Sequence, residues 1–157
     1  MMIGVLVFST QWVPRIATMQ RTDPAMMETN NANLAALPVL LKALRSGGTG
    51  TVFVTVPGPA YAGTLEFLTK QSGVSRHFVA GYTFDKWEQF AQAVSASDVV
   101  VLSEEGMTGQ ALGFAFPSVQ FQKRLLETLR AQPQFKGIPV FTDDKQRSVW
   151  LFLRSSK

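Results

Sequence analysis

A single α/β domain is what the sequence predicts, and three observations carry the prediction. Three short strand-like runs, TVFVTV, RHFVAG and DVVVL, alternate with stretches of helical periodicity, and the joints between them are short. Two further apolar runs, GIPVF and SVWLFLR, flank the turn TDDKQR at the end of the chain. Regular alternation of strand and helix implies right-handed βαβ units on a parallel sheet, whereas paired runs around a polar turn imply an antiparallel hairpin. The expected fold is therefore a three-layer Rossmann-like sandwich with a mostly parallel sheet and a C-terminal antiparallel hairpin. At 157 residues the chain suffices for one core. The expected division is an apolar N-terminal segment and linker, residues 1–33, followed by one α/β domain, residues 34–157.

Met1 to Phe8 is apolar throughout apart from Gly4. As a helix these residues rise only about 12 Å, against a hydrocarbon core of about 30 Å. A signal peptide calls for a basic start, and no basic residue precedes Arg15. Two readings stay open on the residues alone. One is a strand at Ile3 to Phe8 buried on both faces. The other is the last turns of a membrane span, with Trp12 at headgroup level, Pro14 ending the helix, and Arg15 and Arg21 on the wet side.

The polar stretch from Gln20 to Asn33 is a connector. In NLAALPVLLKALRSGG, Leu34, Leu37, Leu41 and Leu44 recur at helical spacing, Asn33 suits a cap and Gly47-Gly48 a stop, while Pro38 either kinks the helix or marks its true start. TVFVTV, Thr51 to Val56, is a strand bounded by Gly50 and Pro57-Gly58-Pro59. Ala60 to Ser72 follows as a helix with Tyr61, Leu65 and Leu68 inward and Gly73 closing it. Arg76 to Gly81 is a second strand. Thr83 or Asp85 then opens a helix striped by Trp87, Phe90, Ala91 and Val94, with Asp85 and Glu88 spaced for a capping box. Asp98 to Leu102 is continuous enough to be a central, parallel strand. After the loop SEEGMTGQALGFAFP, Ser118 is placed to cap a helix running to Arg130, with Phe121, Leu125 and Leu129 inward and Leu126 flanking.

Apolar residues make up 46 % of the chain and charged ones 17 %, which suits a folded domain. The absence of cysteine excludes disulfides, thiol catalysis and thiolate metal sites. The net charge of +4 is uneven: from Gln120 onward eight basic residues face three acidic ones. Those bases are dispersed among apolar positions with no contiguous run, which argues for solvated faces and against a nucleic-acid role.

Ligands of open α/β sheets collect beyond the C-terminal ends of the strands. Three loops meet that condition: VPGPAY, GYT and SEEGMTG. VPGPAYAG lacks the Lys-Ser/Thr pair of a phosphate loop, and Pro57 and Pro59 remove backbone donors. Glu104 and Glu105 at the end of the third strand, with Thr83 after the second, are the candidate ligand contacts, since adjacent carboxylates there suit a cation or acid–base work. Neighbours in an extended segment point apart, however, and no second acidic cluster accompanies the pair. His77 is the only histidine, which excludes an imidazole metal site and leaves any Ser-His-acid triad to run through this one residue without a Gly-x-Ser-x-Gly elbow. Trp87, Trp150, Phe152 and Tyr61 sit at core-facing periodicities and are read as packing. No cofactor and no metal is expected.

The second half, YTFDKWEQFAQAVSASDVVVLSEEG followed by FPSVQFQKRLLETLRAQPQFKGIPVFTDDKQRSVWLFLR, combines a helix, a "DVVVL" strand, a glycine-bearing loop, an "FPS" helix ending in "LRAQPQF", and a terminal hairpin closing on Arg154. This order resembles the soluble C-terminal domain of multi-spanning bacterial membrane glycosyltransferases, the group that includes protein mannosyltransferase-like and aminoarabinose transferase-like enzymes. The resemblance covers Thr51 to Arg154 and rests on pattern, without a catalytic signature. It implies an extracytoplasmic (periplasmic) domain following the last membrane helix, which favours reading the opening segment as a remnant of that helix and Val13 to Asn33 as the exit linker. It also implies sugar transfer from a polyprenyl-phosphate donor by an acidic residue among the membrane spans, outside this chain. No catalytic residue is carried over. The implied partners are the membrane-embedded part of the same or a partner protein and lipid headgroups near the basic C-terminal region. The alternative is an independent small α/β binding protein or enzyme with its site at the strand C-termini.

Overall fold

The computed structural model describes residues 35–45, 50–55, 62–104, 116–142, 146 and 148–155. The opening segment, Tyr61 and Glu105 lie outside them. Residues 35–45 form α1. There follow β1 (Thr51–Val54), α2 (Ala62–Gln71), β2 (His77–Ala80), a 3-10 turn (Gly81–Thr83), α3 (Trp87–Ser95), β3 (Val99–Ser103), a second 3-10 turn (Pro117–Phe121), α4 (Gln122–Ala131), β4 (Phe135–Thr142) and β5 (Ser148–Arg154). The fold is α/β, built on a five-stranded mixed open sheet of order β2-β1-β3-β5-β4.

β1 pairs in parallel with β2 on one side and β3 on the other. β5 runs antiparallel to both β3 and β4. All five residues of β3 are buried, as its unbroken apolar run demands of a strand covered on both faces. Its outer neighbour is the antiparallel β5, so β3 is central but only half parallel. β4 is an edge strand, and its register shifts between Pro139 and Phe141, where a proline without an N–H is tolerated.

The two faces of the sheet carry separate apolar clusters. Val52, Val54, Val99 and Val101 pack with α1 and α2. Phe53, Val100, Leu102 and Phe152 pack with α3 and α4. The period of two along each strand sorts the side chains. Each fully buried Leu in these clusters contributes roughly 2 kcal/mol relative to exposure.

Several helix boundaries differ from expectation, each for a physical reason. In α1 the fully buried stripe is Ala36, Leu40 and Leu44, with Leu37 and Leu41 half-buried beside it. Pro38 is exposed within the helix. In α2 Thr69 takes the inward place expected of Leu68; its hydroxyl donates to the carbonyls of Leu65 and Glu66 at 2.7 and 3.0 Å, which removes the cost of burying it. Gly73 closes α2 as expected, at φ +77°: its N–H donates to the Lys70 carbonyl and that of Val74 to Thr69, a Schellman closure that requires the left-handed conformation.

The Asp85/Glu88 capping box does not form. α3 starts at Trp87 with Lys86 as its N-cap and no side-chain cap bond. Phe84 packs its ring on Phe53 and Phe90, and this tertiary contact is made with Phe84 and Lys86 extended ahead of the helix. Ser118 likewise does not cap a helix. It lies inside the 3-10 turn that begins at Pro117, and α4 starts only at Gln122. Phe121 contacts Trp87 and Phe90, which ties that turn to α3, while Leu125 and Leu129 face the core as expected.

Candidate functional site

At the C-terminal edge of the sheet, the ends of β1, β2 and β3 carry Thr55, the Gly81–Thr83 turn and Ser103-Glu104 respectively. β1 to β2 runs one way and β2 to β3 crosses back over β1, so the strand order reverses between β1 and β3. That reversal is where open α/β sheets place their ligands. The Pro117–Phe121 turn borders the same edge, with the ring of Phe116 against Tyr82 at 5.3 Å.

Glu104 follows β3 and turns toward β5. Its backbone N–H continues the ladder by donating to Ser148 carbonyl at 3.0 Å. Its carboxylate accepts the indole N–H of Trp150 at 2.7 Å. Arg130 of α4 stands 3.6 Å from the same oxygen and lies over the Trp150 ring at 4.6 Å. The three side chains form one triangle linking β3, β5 and α4. Thr83 lies elsewhere: its hydroxyl donates to the Ala80 carbonyl at 2.8 Å, stitching the turn after β2. With β1 between their strands, the ends carrying Thr83 and Glu104 stand about two strand spacings, or roughly 10 Å, apart. The structure thus places these two expected contacts separately and engages each locally.

Glu104→Ala leaves the half-buried Trp150 N–H without its acceptor, and the expected cost is about 1–2 kcal/mol of unfolding free energy in denaturant titration. Glu104→Gln keeps an acceptor oxygen and loses only the attraction of Arg130, whose side chain is 51 % exposed, so the expected cost stays below about 1 kcal/mol. Equal losses in the two variants would contradict this assignment.

Two hydroxyls at this edge are not among the ligand contacts expected from the sequence. Ser103 and Ser118 are both fully buried, and neither Oγ has a hydrogen-bond partner. A serine carries no local signal for burial without a partner; only the packing of β3 and of the second turn creates it. Thr55 is buried too, but its hydroxyl donates to the Val101 carbonyl at 3.2 Å. His77 begins β2 at the opposite edge and is exposed, far from any of these hydroxyls. Among the described residues no three His, Asp or Glu side chains cluster as a metal site would require.

Of the aromatic residues read as packing, Trp87, Trp150 and Phe152 do pack; Tyr61 lies outside the described residues. Trp87 stacks on Phe90 and carries Arg124 over its outer face at 3.9 Å, and Trp150 stacks on Phe152. Part of the basic C-terminal excess is also structural. Arg154 donates to the carbonyls of Ser97 and Ser95 at 3.0 and 2.6 Å, satisfying the end of α3 as a cation at a helix C-terminus should.

Comparison with protein-family models, curated proteins and solved structures returns no match for this chain. No helix among the described residues is long and apolar enough to cross a membrane.

Proposed function

We propose that this chain is a non-catalytic accessory domain of a membrane glycosyltransferase that uses a polyprenyl-phosphate sugar donor. In this reading it is a three-layer Rossmann-like sandwich on the extracytoplasmic face, where it covers the mouth of the membrane-embedded part and helps position an acceptor. The observation that carries the reading is the commitment of Glu104. The carboxylate best placed for chemistry at the sheet's C-terminal edge is bonded to Trp150 and set beside Arg130. Contacts from β5 and α4 on one oxygen fix the orientation of this carboxylate as a brace between elements, which suits a scaffold. The exposed bases of α4, Lys123 and Arg124, supply the positive face for lipid or pyrophosphate headgroups.

The test is direct. Supplied with a polyprenyl-phosphate sugar and candidate acceptors, the chain alone is expected to give no transfer, and to co-purify with an integral membrane glycosyltransferase under mild detergent. Turnover by the chain alone overturns the proposal.

One observation favours a second reading, an independent ligand-binding α/β protein. The unpartnered hydroxyls of Ser103 and Ser118 lie where such a protein holds its ligand. A small molecule that stabilises the chain thermally, but not its Ser103→Ala, Ser118→Ala double variant, would establish this reading over the first.

A further inference from the structure

At the opposite edge of the sheet, a cleft of about 70 Å³ opens between the end of α2 and the start of β2, lined by Glu66, Lys70, Val74, Ser75 and Arg76. One water needs about 10–15 Å³ of such space. The cleft therefore holds about five water-sized groups, the bulk of one tetrahedral oxyanion.

Arg76 forms its wall and is 8 % exposed. Its Nε donates to the Leu44 carbonyl at the end of α1, at 2.9 Å, whereas its Nη1 is buried with no hydrogen-bond partner. Burial pushes the guanidinium pKa below its ordinary value, and the charge of Asp98 opposes that shift without reversing it. Asp98 is itself engaged, accepting the Thr51 N–H at 2.8 Å. A buried guanidinium with an unused donor and only a shared counter-charge is an uncommon arrangement, because such groups ordinarily find an anion.

The rest of the cleft suits an anion as well. Lys70 brings a second, exposed cation in the last turn of α2. The Schellman closure around Gly73 occupies the carbonyls of Thr69 and Lys70, which blunts the negative end of the helix beside the cleft. Ser75 adds a hydroxyl. Glu66, one turn before Lys70, is the single opposing charge on the wall.

We infer that this cleft binds a phosphate group, compensating Arg76 and held by Lys70 and Ser75. The site is separate from the sheet's C-terminal edge and stands whether or not the proposed accessory role does. It is tested on the full chain by amide NMR titration with inorganic phosphate, chloride being exchanged out so that ionic strength stays constant. The expected result is a saturable shift confined to Gly73 through Arg76 and the end of α2. Lys70→Glu should weaken binding at least about tenfold, as expected for reversing one close charge, and Glu66→Gln should tighten it about threefold, as expected for removing one opposing charge. Both substitutions are on the surface and leave the core intact. Non-saturating shifts spread over every basic residue, or unchanged affinity in Lys70→Glu, would overturn the inference. Sedimentation with phosphatidic acid vesicles, but not phosphatidylcholine vesicles, that Lys70→Glu abolishes would identify a lipid headgroup as the source of the phosphate. Saturable phosphate binding without sedimentation would identify a free phosphorylated ligand.

Discussion

Phe90→Ala is expected to lower the unfolding free energy by about 3–5 kcal/mol, the range for truncating a fully buried phenylalanine. Phe90 has no exposed surface, and its ring meets Phe53 edge-on at 5.0 Å, Phe84 at 6.2 Å, Trp87 at 5.9 Å and Phe121 at 5.3 Å. Those partners come from β1, from the segment before α3, from α3 itself and from the turn before α4. Truncation opens a cavity that four separately anchored elements cannot all collapse into. For a chain of this length the melting temperature should fall by roughly 6–20 °C. Phe90→Leu retains much of the volume and should cost about a third as much. Equilibrium denaturation with near-ultraviolet circular dichroism of the tryptophans measures both. A loss under 1 kcal/mol for the alanine variant would show that the ring cluster is not the core of this face.

Gly81→Ala should cost about 2–3 kcal/mol, although it adds a single methyl group. A Cβ at this position would stand 2.5 and 2.6 Å from the Cε1 and Cζ atoms of Phe53 and 3.0 Å from the Val54 carbonyl oxygen. Both neighbours belong to β1 in mid-sheet, so neither yields without breaking packing. The contrast is Gly73, where nothing lies within 4 Å and the cost of an added Cβ is purely that of its positive φ. A Phe53→Leu background removes the ring atoms that the new methyl strikes. In a double-mutant cycle the two substitutions should therefore be less costly together than the sum of the singles. Strict additivity would sink this account.

The strands were legible because their signals are local. TVFV and VVVLS are rich in β-branched residues and HFVA joins a phenylalanine to a valine; all three are short and bounded by turn residues, and each appears as a strand with ends within two residues of those expected. The apolar faces of α3 and α4 were legible through their period, with Phe90, Val94, Leu125 and Leu129 inward. Helix starts were less so. Asp85 and Ser118 both fit capping spacings, yet aromatic contacts of Phe84 and Phe121 with residues from other elements outbid a cap bond worth about 1 kcal/mol. Of the candidate contacts, Glu104 and Thr83 stand at strand ends as expected, but nothing near them in the chain announces that each is already bonded.

Residue type and spacing dictate that this chain is an α/β protein, because each run of side chains can bury its apolar surface only as the strand or helix whose period it matches. Where β5 inserts, how Glu104 is spent and why Arg76 is buried were settled by folding. Each depends on partners far along the chain: Trp150 lies 46 positions from Glu104, and Leu44 lies 32 from Arg76. Such pairings arise from packing elements distant in the chain against one another, and no window of neighbouring residues contains them.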